Sequence, residues 1–245
     1  MIFNLLKNNF TMVFDVGTRD DLSFFEMKES CSYHLFEPNA KFVKSLIRQV
    51  KSLESPHIKI NNYGLSDHDE DNLIYYEKSQ SFIVNPHFRK VEVDTGHRYS
   101  LRRLDDYVSR NNISKIDFLK IDAEGMDYKV ILGGLDTIKN NKVSYIQFEF
   151  GYWANIQKFV DILNNFNLFL MMEPSLLKAI QETIAPSMTS EEKKINYSKS
   201  IIPFTDVLIE LLDRKIIPSE NGGNILGVNK NISTVNIEKL IFDVQ

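Results

Sequence analysis

Short runs of β-branched and aromatic residues recur along the first half of the chain, each closed by a glycine or acidic turn and followed by helical spacing. That alternation marks βαβ units and a mostly parallel sheet, because a strand buried on both faces reads as one continuous apolar run. Strands are predicted over 11–16, Ser32–Phe36, 57–63, 116–122, Val143–Phe150, 168–172 and 224–229. A helix is predicted from the cap Asn39 onward, with Phe42, Val43, Leu46, Ile47, Val50 and Leu53 on its inner face. Further helices are expected over 20–30, 101–111, 128–135, 153–165 and 205–212. In the second of these Leu101, Leu104 and Val108 face inward, and the third stops at Gly133 and Gly134. The stretch 64–100 is less regular, with short strands at 73–76 and 90–94 around 79–86. No repeat of fixed period and no linker interrupts the 245 residues, so a single domain is expected over 1–245.

Charge and cysteine content narrow the function classes. The 29 basic residues are outnumbered by 33 acidic ones, a net of −4, which counts against a nucleic-acid partner bound through its phosphates. One cysteine, Cys31, allows neither an intrachain disulfide nor a Cys-based zinc site and fits a reducing compartment. No run nears the about 18 apolar residues of a spanning helix. The N-terminal apolar run breaks at once without a small-residue cleavage site, so a cytoplasmic location is expected and the sequons at Asn112, Asn196 and Asn231 carry no weight.

Parallel sheets bind ligands at the carboxyl ends of their strands. Asp15 and Gly17, Glu37, Gly64 with Leu65 and Ser66, Asp122 with Glu124, and Glu149 all fall at such ends. A glycine at 17 lets backbone approach a ligand closely. Glu37, twenty residues beyond it, is placed to accept hydrogen bonds from both hydroxyls of a ribose. The phosphate-cradling G-x-G-x-x-G pattern is absent, with Asp21 where a further glycine is wanted, so the nucleoside should carry no pyrophosphate. S-adenosylmethionine fits that description. Strand period two puts Lys120 and Asp122 on one face, with Glu124 just beyond. Clustered carboxylates raise each other's proton affinity and suit general-base work; the plainer alternative is a solvated rim in which Lys120 neutralises Asp122. His97 is the one histidine placed to reach a strand-end site, and Tyr145, Tyr152 and Trp153 could stack on a sugar ring or serve as core and helix anchors. Arg102, Arg103, Lys193 and Lys194 read as solvated faces.

Six motifs now stand in order: Val-Phe-Asp-Val-Gly at 13–17, Leu-Phe-Glu-Pro at 35–38, Tyr-Gly-Leu-Ser-Asp at 63–67, Leu-Asp-Asp at 104–106, Leu-Lys-Ile-Asp-Ala-Glu-Gly at 119–125 and Gln-Phe-Glu at 147–149. In order and spacing they resemble the FkbM-type methyltransferases over about residues 11–151. The resemblance implies a Rossmann-like class I methyltransferase fold: an α/β sheet of seven mostly parallel strands with helices on both faces and the last strand antiparallel. It implies O-methylation of sugar or small-molecule hydroxyls. Asp15 and Gly17 would then line the cofactor's amino-acid part, Glu37 the ribose, and Gly64, Leu65 and Ser66 the adenine. Asp122 or Glu124 would be the base and Glu149 would hold the acceptor, with a carboxylate-bound divalent metal as an alternative way to acidify the hydroxyl. The inserts 64–100 and 174–223 would build the acceptor pocket. Two positions depart from the family pattern: its first loop runs Asp-Val-Gly-Ala-Asn-x-Gly where this chain has Asp-Val-Gly-Thr-Arg-Asp-Asp at 15–21, and Asp127 replaces the usual glutamate.

The leading expectation is an S-adenosylmethionine-dependent O-methyltransferase acting on a glycan or small-molecule hydroxyl. RNA ribose 2′-O-methylation is a second reading, since Lys120, Asp122 and Glu149 mimic part of a lysine–carboxylate set, and the altered loop at 18–21 suggests a third, an inactive cofactor-binding module. Oligomeric state is open.

Overall fold

In the computed structural model, residues 10–22, 30–53, 57–77, 81–82, 94–150, 155–171, 201–204 and 223–232 are described, together with positions 206 and 209. The chain divides into two compact units, Met1–Ser144 and Tyr145–Gln245.

In the first unit, four apolar runs pair in parallel: β1 (Met12–Val16), β2 (Ser32–Phe36), β3 (Ile58–Asn61) and β8 (Ile116–Ile121), in the order β8-β1-β2-β3. All six residues of β8 are buried, as a strand covered on both faces requires. Asp117 anchors the start of β1: its Oδ2 accepts hydrogen bonds from Thr11 N at 2.7 Å, Met12 N at 3.1 Å and Thr11 Oγ1 at 2.9 Å. Aromatic rings fill the space on one side, with His34 stacked on Phe14 at 4.8 Å and Tyr107 edge-on to Phe36 at 4.9 Å. Burial, helped by the nearby Lys59 ammonium, lowers the His34 pKa to about 4, so this ring is a neutral core group bonded through Nδ1 to the Tyr107 hydroxyl at 2.6 Å.

Helix α1 (Ala40–Leu53) starts where expected, and the Asn39 side chain accepts from Lys41 N at 2.9 Å. Its buried stripe is narrower than the spacing predicts. Val43 and Leu46 are buried, but Ile47 and Leu53 are 40% and 52% exposed, and Phe42 turns toward a cleft described below.

Residues after β3 build a second, four-stranded sheet: β4 (Gly64–Leu65), β5 (Glu70–Glu77), β6 (Ser81–Phe82) and β7 (Asp94–Arg102), ordered β4-β7-β5-β6. Here the expected helix over 101–111 is corrected. Leu101 and Arg102 close β7, paired with Gly64 and Leu65, and the helix α2 spans Leu104–Arg110. Leu101 obeys period two, burying with Tyr99 in a small core against Leu73. The strand expected at 90–94 lies outside the described residues except Asp94, where β7 begins. Helix α3 (Asp127–Gly133) matches the expected 128–135, and α4 (Leu135–Lys139), not expected, follows at once. Asp105 caps α4 from a distance, accepting from Thr137 N at 2.8 Å and Asp136 N at 3.2 Å. Such a long-range cap leaves no local signature in sequence.

The second unit holds β9 (Val143–Phe150) from Tyr145 onward, α5 (Ile156–Ile162), β10 (Phe166–Met171), β11 (Ile201–Pro203) and β12 (Gly223–Asn229). Strand β12 runs antiparallel to both β9 and β10, as the resemblance implied for the last strand, and β11 extends the set antiparallel to β10. Helix α5 is shorter than the expected 153–165; Asn155 caps it by accepting from Lys158 N at 3.2 Å. Most of the helices expected at 20–30 and 205–212, and Tyr152, Trp153, Lys193 and Lys194, lie outside the described residues. Parallel strands flanked by helices in one unit and an antiparallel set in the other give the class I methyltransferase fold. Among the described residues no helix is long and apolar enough to cross a membrane.

The α3–β4 contact has no slack: a Cβ on Gly133 would lie 1.9 Å from the Ser66 carbonyl oxygen. Gly133→Ala is therefore expected to cost about 1–3 kcal/mol in urea denaturation, while Ile47→Ala should stay within about 0.5 kcal/mol because that side chain faces solvent.

Candidate active site

The ends of β1, β2 and β8 are tied together by backbone. Gly17 N donates to Phe36 O at 2.9 Å, and Asp122 N donates to Val16 O at 2.9 Å. Gly17 has φ +81°, and a Cβ there would meet the Asp122 carbonyl oxygen at 1.9 Å, so only glycine fits this crossing. Above it opens a cleft whose walls are Val16, Gly17 and Arg19 from the first loop, Phe36, Glu37, Pro38 and Phe42 from the second, Gly64 and Leu65 of β4, and Asp122, Ala123 and Glu124 after β8.

Glu37 is 4% exposed. Its Oε2 accepts from Arg19 N at 2.9 Å and its Oε1 from Asn39 N at 2.7 Å. Each oxygen keeps one further acceptor position, which suits the two adjacent hydroxyls of a ribose. Burial pushes its pKa up to about 7, against the pull of the two backbone donors and of Arg19. Asn61 and Asn62 fix the chain here: Glu37 N donates to Asn61 O at 3.1 Å, and Asn62 Nδ2 donates to the Glu37 carbonyl at 3.1 Å.

Asp15 and Lys120 face each other in register on β1 and β8, with Lys120 Nζ 3.0 Å from Asp15 Oδ1 and 3.5 Å from Asp122 Oδ2. The lysine thus favours Asp15 over the partner that the sequence suggested. Burial works against the charge on Lys120, but the two carboxylates outweigh it and hold the ammonium above its usual value. Burial also pushes the Asp15 carboxyl up, with Lys120 opposing. Asp15 stands behind the cleft wall rather than in it, 1% exposed.

Past β8 the chain turns sharply, with Glu124 at φ +51° and Gly125 at φ +88°. Burial and the Asp122 charge raise the Glu124 carboxyl, against Arg19. Asp127, buried, accepts from Ala123 N at 3.3 Å and closes this turn despite being one methylene shorter than the family's glutamate. Ser66 is fully buried behind β4, donating to Asp67 Oδ1 at 3.0 Å, while Gly64 and Leu65 line the cleft. Glu149 belongs to the second unit, where it pairs in register with Asn224 on β12. His97 lies on β7. No group of three or more His, Cys, Asp or Glu side chains among the described residues is arranged to hold a metal ion.

Two wall residues escaped the sequence reading. Arg19, at φ +56°, lays its guanidinium 5.5 Å from the centroid of Phe42. Arg19 was legible only as a departure from a glycine- and asparagine-containing loop, and Phe42 as one more apolar position on a helix.

The model for the methyltransferase FkbM domain matches residues 15–178, well over half of the chain. The chain belongs to the FkbM methyltransferase family. The family is one of class I, S-adenosylmethionine-dependent methyltransferases. Among solved structures, this FkbM chain is similar to the methyltransferase FkbM from Methylobacillus flagellatus KT (13% identity, 65% of this chain and 39% of that one, TM-score 0.47). It is also similar to the METTL16 MTase domain (9% identity, 93% and 64%, TM-score 0.46) and to an rRNA methylase from Streptococcus thermophilus (7% identity, 94% and 94%, TM-score 0.45). The chain spans less than two thirds of the length of the first two. No curated protein matches it in sequence.

Because the folded pKa of Glu37 lies above its ordinary 4.5, the fold favours the protonated acid. Stability without ligand is then fully present below about 4.5 and is lost as pH rises toward 7, by on the order of 3 kcal/mol. Urea denaturation from pH 5 to 8 should show Glu37→Gln gaining on wild type across that window; parallel curves would place the Glu37 carboxyl at its ordinary value.

Proposed function

We propose that this FkbM methyltransferase moves a methyl group from S-adenosylmethionine to a hydroxyl of a sugar or glycan. The observation that carries the reading is Glu37: a buried carboxylate at the end of β2, held by two backbone donors, with acceptor capacity to spare at the wall of a cleft that Asp122 and Glu124 also line. In this reading Glu37 holds the ribose hydroxyls, Gly64 and Leu65 face the adenine with Ser66 behind them, and Gly17 with Asp15 borders the amino-acid part. The bound sulfonium supplies an already activated methyl group. The protein's own work is to orient the acceptor and to remove its proton.

Glu124 is the better of the two candidate bases. Burial and the Asp122 charge both raise the proton affinity of Glu124, while Asp122 is occupied by an ion pair with Lys120 at 3.5 Å. The buried Cys31, the one cysteine of the chain, suits a reducing, cytoplasmic setting.

A thermal-shift titration with S-adenosylmethionine and S-adenosylhomocysteine tests the cofactor. Wild type at a hundredfold excess over Kd should gain about 2.7 kcal/mol, a shift of a few degrees, and Glu37→Ala should lose it. Absence of a shift in folded wild type would leave a module without its cofactor. For the chemistry, Glu124→Gln should lower kcat by about 10²–10⁴-fold with cofactor affinity unchanged, removing the acidic limb of the pH–rate profile. Labelled methyl appearing in RNA rather than in a glycan fraction would overturn the acceptor class.

A further inference from the structure

The outer face of α1 carries charge for which the helix itself has no use. Lys41, Lys44, Arg48 and Lys51 recur at intervals of three, four and three residues, so they share an arc of about 80° along about 15 Å of one face. All four are exposed. The helix holds no acidic residue, although the whole chain carries a net of −4, and among the described residues none of the four forms an ion pair. Arg48 Nε donates to Lys44 O at 3.3 Å, which keeps the guanidinium along the stripe. Like charges three and four residues apart repel on a helix, and Lys41 stands in the first turn, where the helix dipole disfavours a cation. The stripe therefore weakens α1, and no described residue supplies the missing negative charge.

Apolar exposure falls on the same helix. Among the described residues the two exposed large apolar side chains, Ile47 and Leu53, both belong to α1. Ile47 lies between Lys44 and Lys51, three residues from one and four from the other, at the rim of the stripe. The one ring of the helix, Phe42, lies under Arg19 at the cleft, and its one amide, Gln49, donates to Asp20 O at 2.7 Å. The stripe thus offers point charges on long apolar stems and an aliphatic neighbour, with no ring to stack on a base and no amide to read one. We infer that this face of α1 docks the protein on a bilayer surface rich in anionic lipid, its cations among the lipid phosphates and Ile47 at the headgroup boundary. Phe42 belongs to the same helix, so docking keeps that wall of the cleft about 10 Å, the diameter of a helix, from the lipid surface. The inference stands apart from the cofactor and acceptor readings, and failure of either leaves it intact.

Flotation with vesicles of phosphatidylglycerol and phosphatidylcholine in equal parts tests the docking. At about 0.05 M salt wild type should bind these vesicles and not phosphatidylcholine alone, with partitioning reduced about tenfold or more at about 0.5 M salt. The triple variant Lys44→Gln, Arg48→Gln and Lys51→Gln places a good helix former at three exposed positions and should fold as wild type does. Its partition coefficient should fall about tenfold or more, while a control with the same loss of charge elsewhere, Arg110→Gln, Lys139→Gln and Lys142→Gln, should stay within about twofold of wild type. No binding to the anionic vesicles, equal binding to neutral ones, or equal weakening by the two triple variants would each overturn the inference. Tighter binding of a polyuridine strand than of the anionic vesicles, lost in the α1 variant, would overturn it too and give the stripe to nucleic acid.

Discussion

The buried ion pair between Asp15 and Lys120 is the interaction on which the first unit turns. The two residues lie opposite each other on adjacent parallel strands, and their contact at 3.0 Å is possible in one register alone. A slip of one residue would send Lys120 to the other face and leave two charges buried without partners. Replacing such a pair by apolar side chains often costs a protein nothing, whereas removing one member is expensive. Its value here is therefore better sought in specificity: it pins β1 to β8 so that Gly17 meets the Asp122 carbonyl, and Lys120 keeps a second, longer contact with Asp122 at 3.5 Å. Strand pairing, the glycine crossing and the carboxylate at the cleft are one linked set.

Around that set, hydrogen bonds from the main chain do most of the positioning. Glu37 is held by the amides of Arg19 and Asn39, and Asp127 by the amide of Ala123. Backbone donors cannot rotate away, so the carboxylates they hold are preorganised, and their orientation survives side-chain replacement in the loops around them. This explains how the loop at 18–21 can differ from its family's pattern while Glu37 stays in place: what Glu37 requires of residue 19 is an amide, which every residue except proline supplies.

How much of this was legible in the sequence follows from the range of the forces involved. Strands β2 and β9 coincide with their apolar runs, β1 and β8 differ by a residue at an end, and Gly17, Glu37, Gly64, Leu65, Asp122 and Glu124 do gather at one cleft, because strand period and strand-end position are local properties. Leu101 was misread since its spacing to Leu104 and Val108 mimics a helix, while its actual partners, Glu70 and Gly64, are more than thirty residues away in sequence. Helix α4 depends on the distant cap Asp105, and the exposure of Ile47 on what covers α1, so neither could be read from its own segment. The preference of Lys120 for Asp15 required the β1–β8 register, which spacing within β8 alone cannot reveal.

Strand β4 is two residues long and belongs to two structures at once. Gly64 and Leu65 are a wall of the cleft, and the same two residues form the edge of the insert's sheet, paired with Leu101 and Arg102 and continued by Ser66 N donating to Arg102 O at 2.9 Å. A molecule that firms this wall also firms the β4–β7 ladder, and by thermodynamic reciprocity anything that settles the insert firms the wall by the same free energy. Support for the cleft wall and support for the β4–β7 ladder are thus two readings of one equilibrium, held in two residues of backbone.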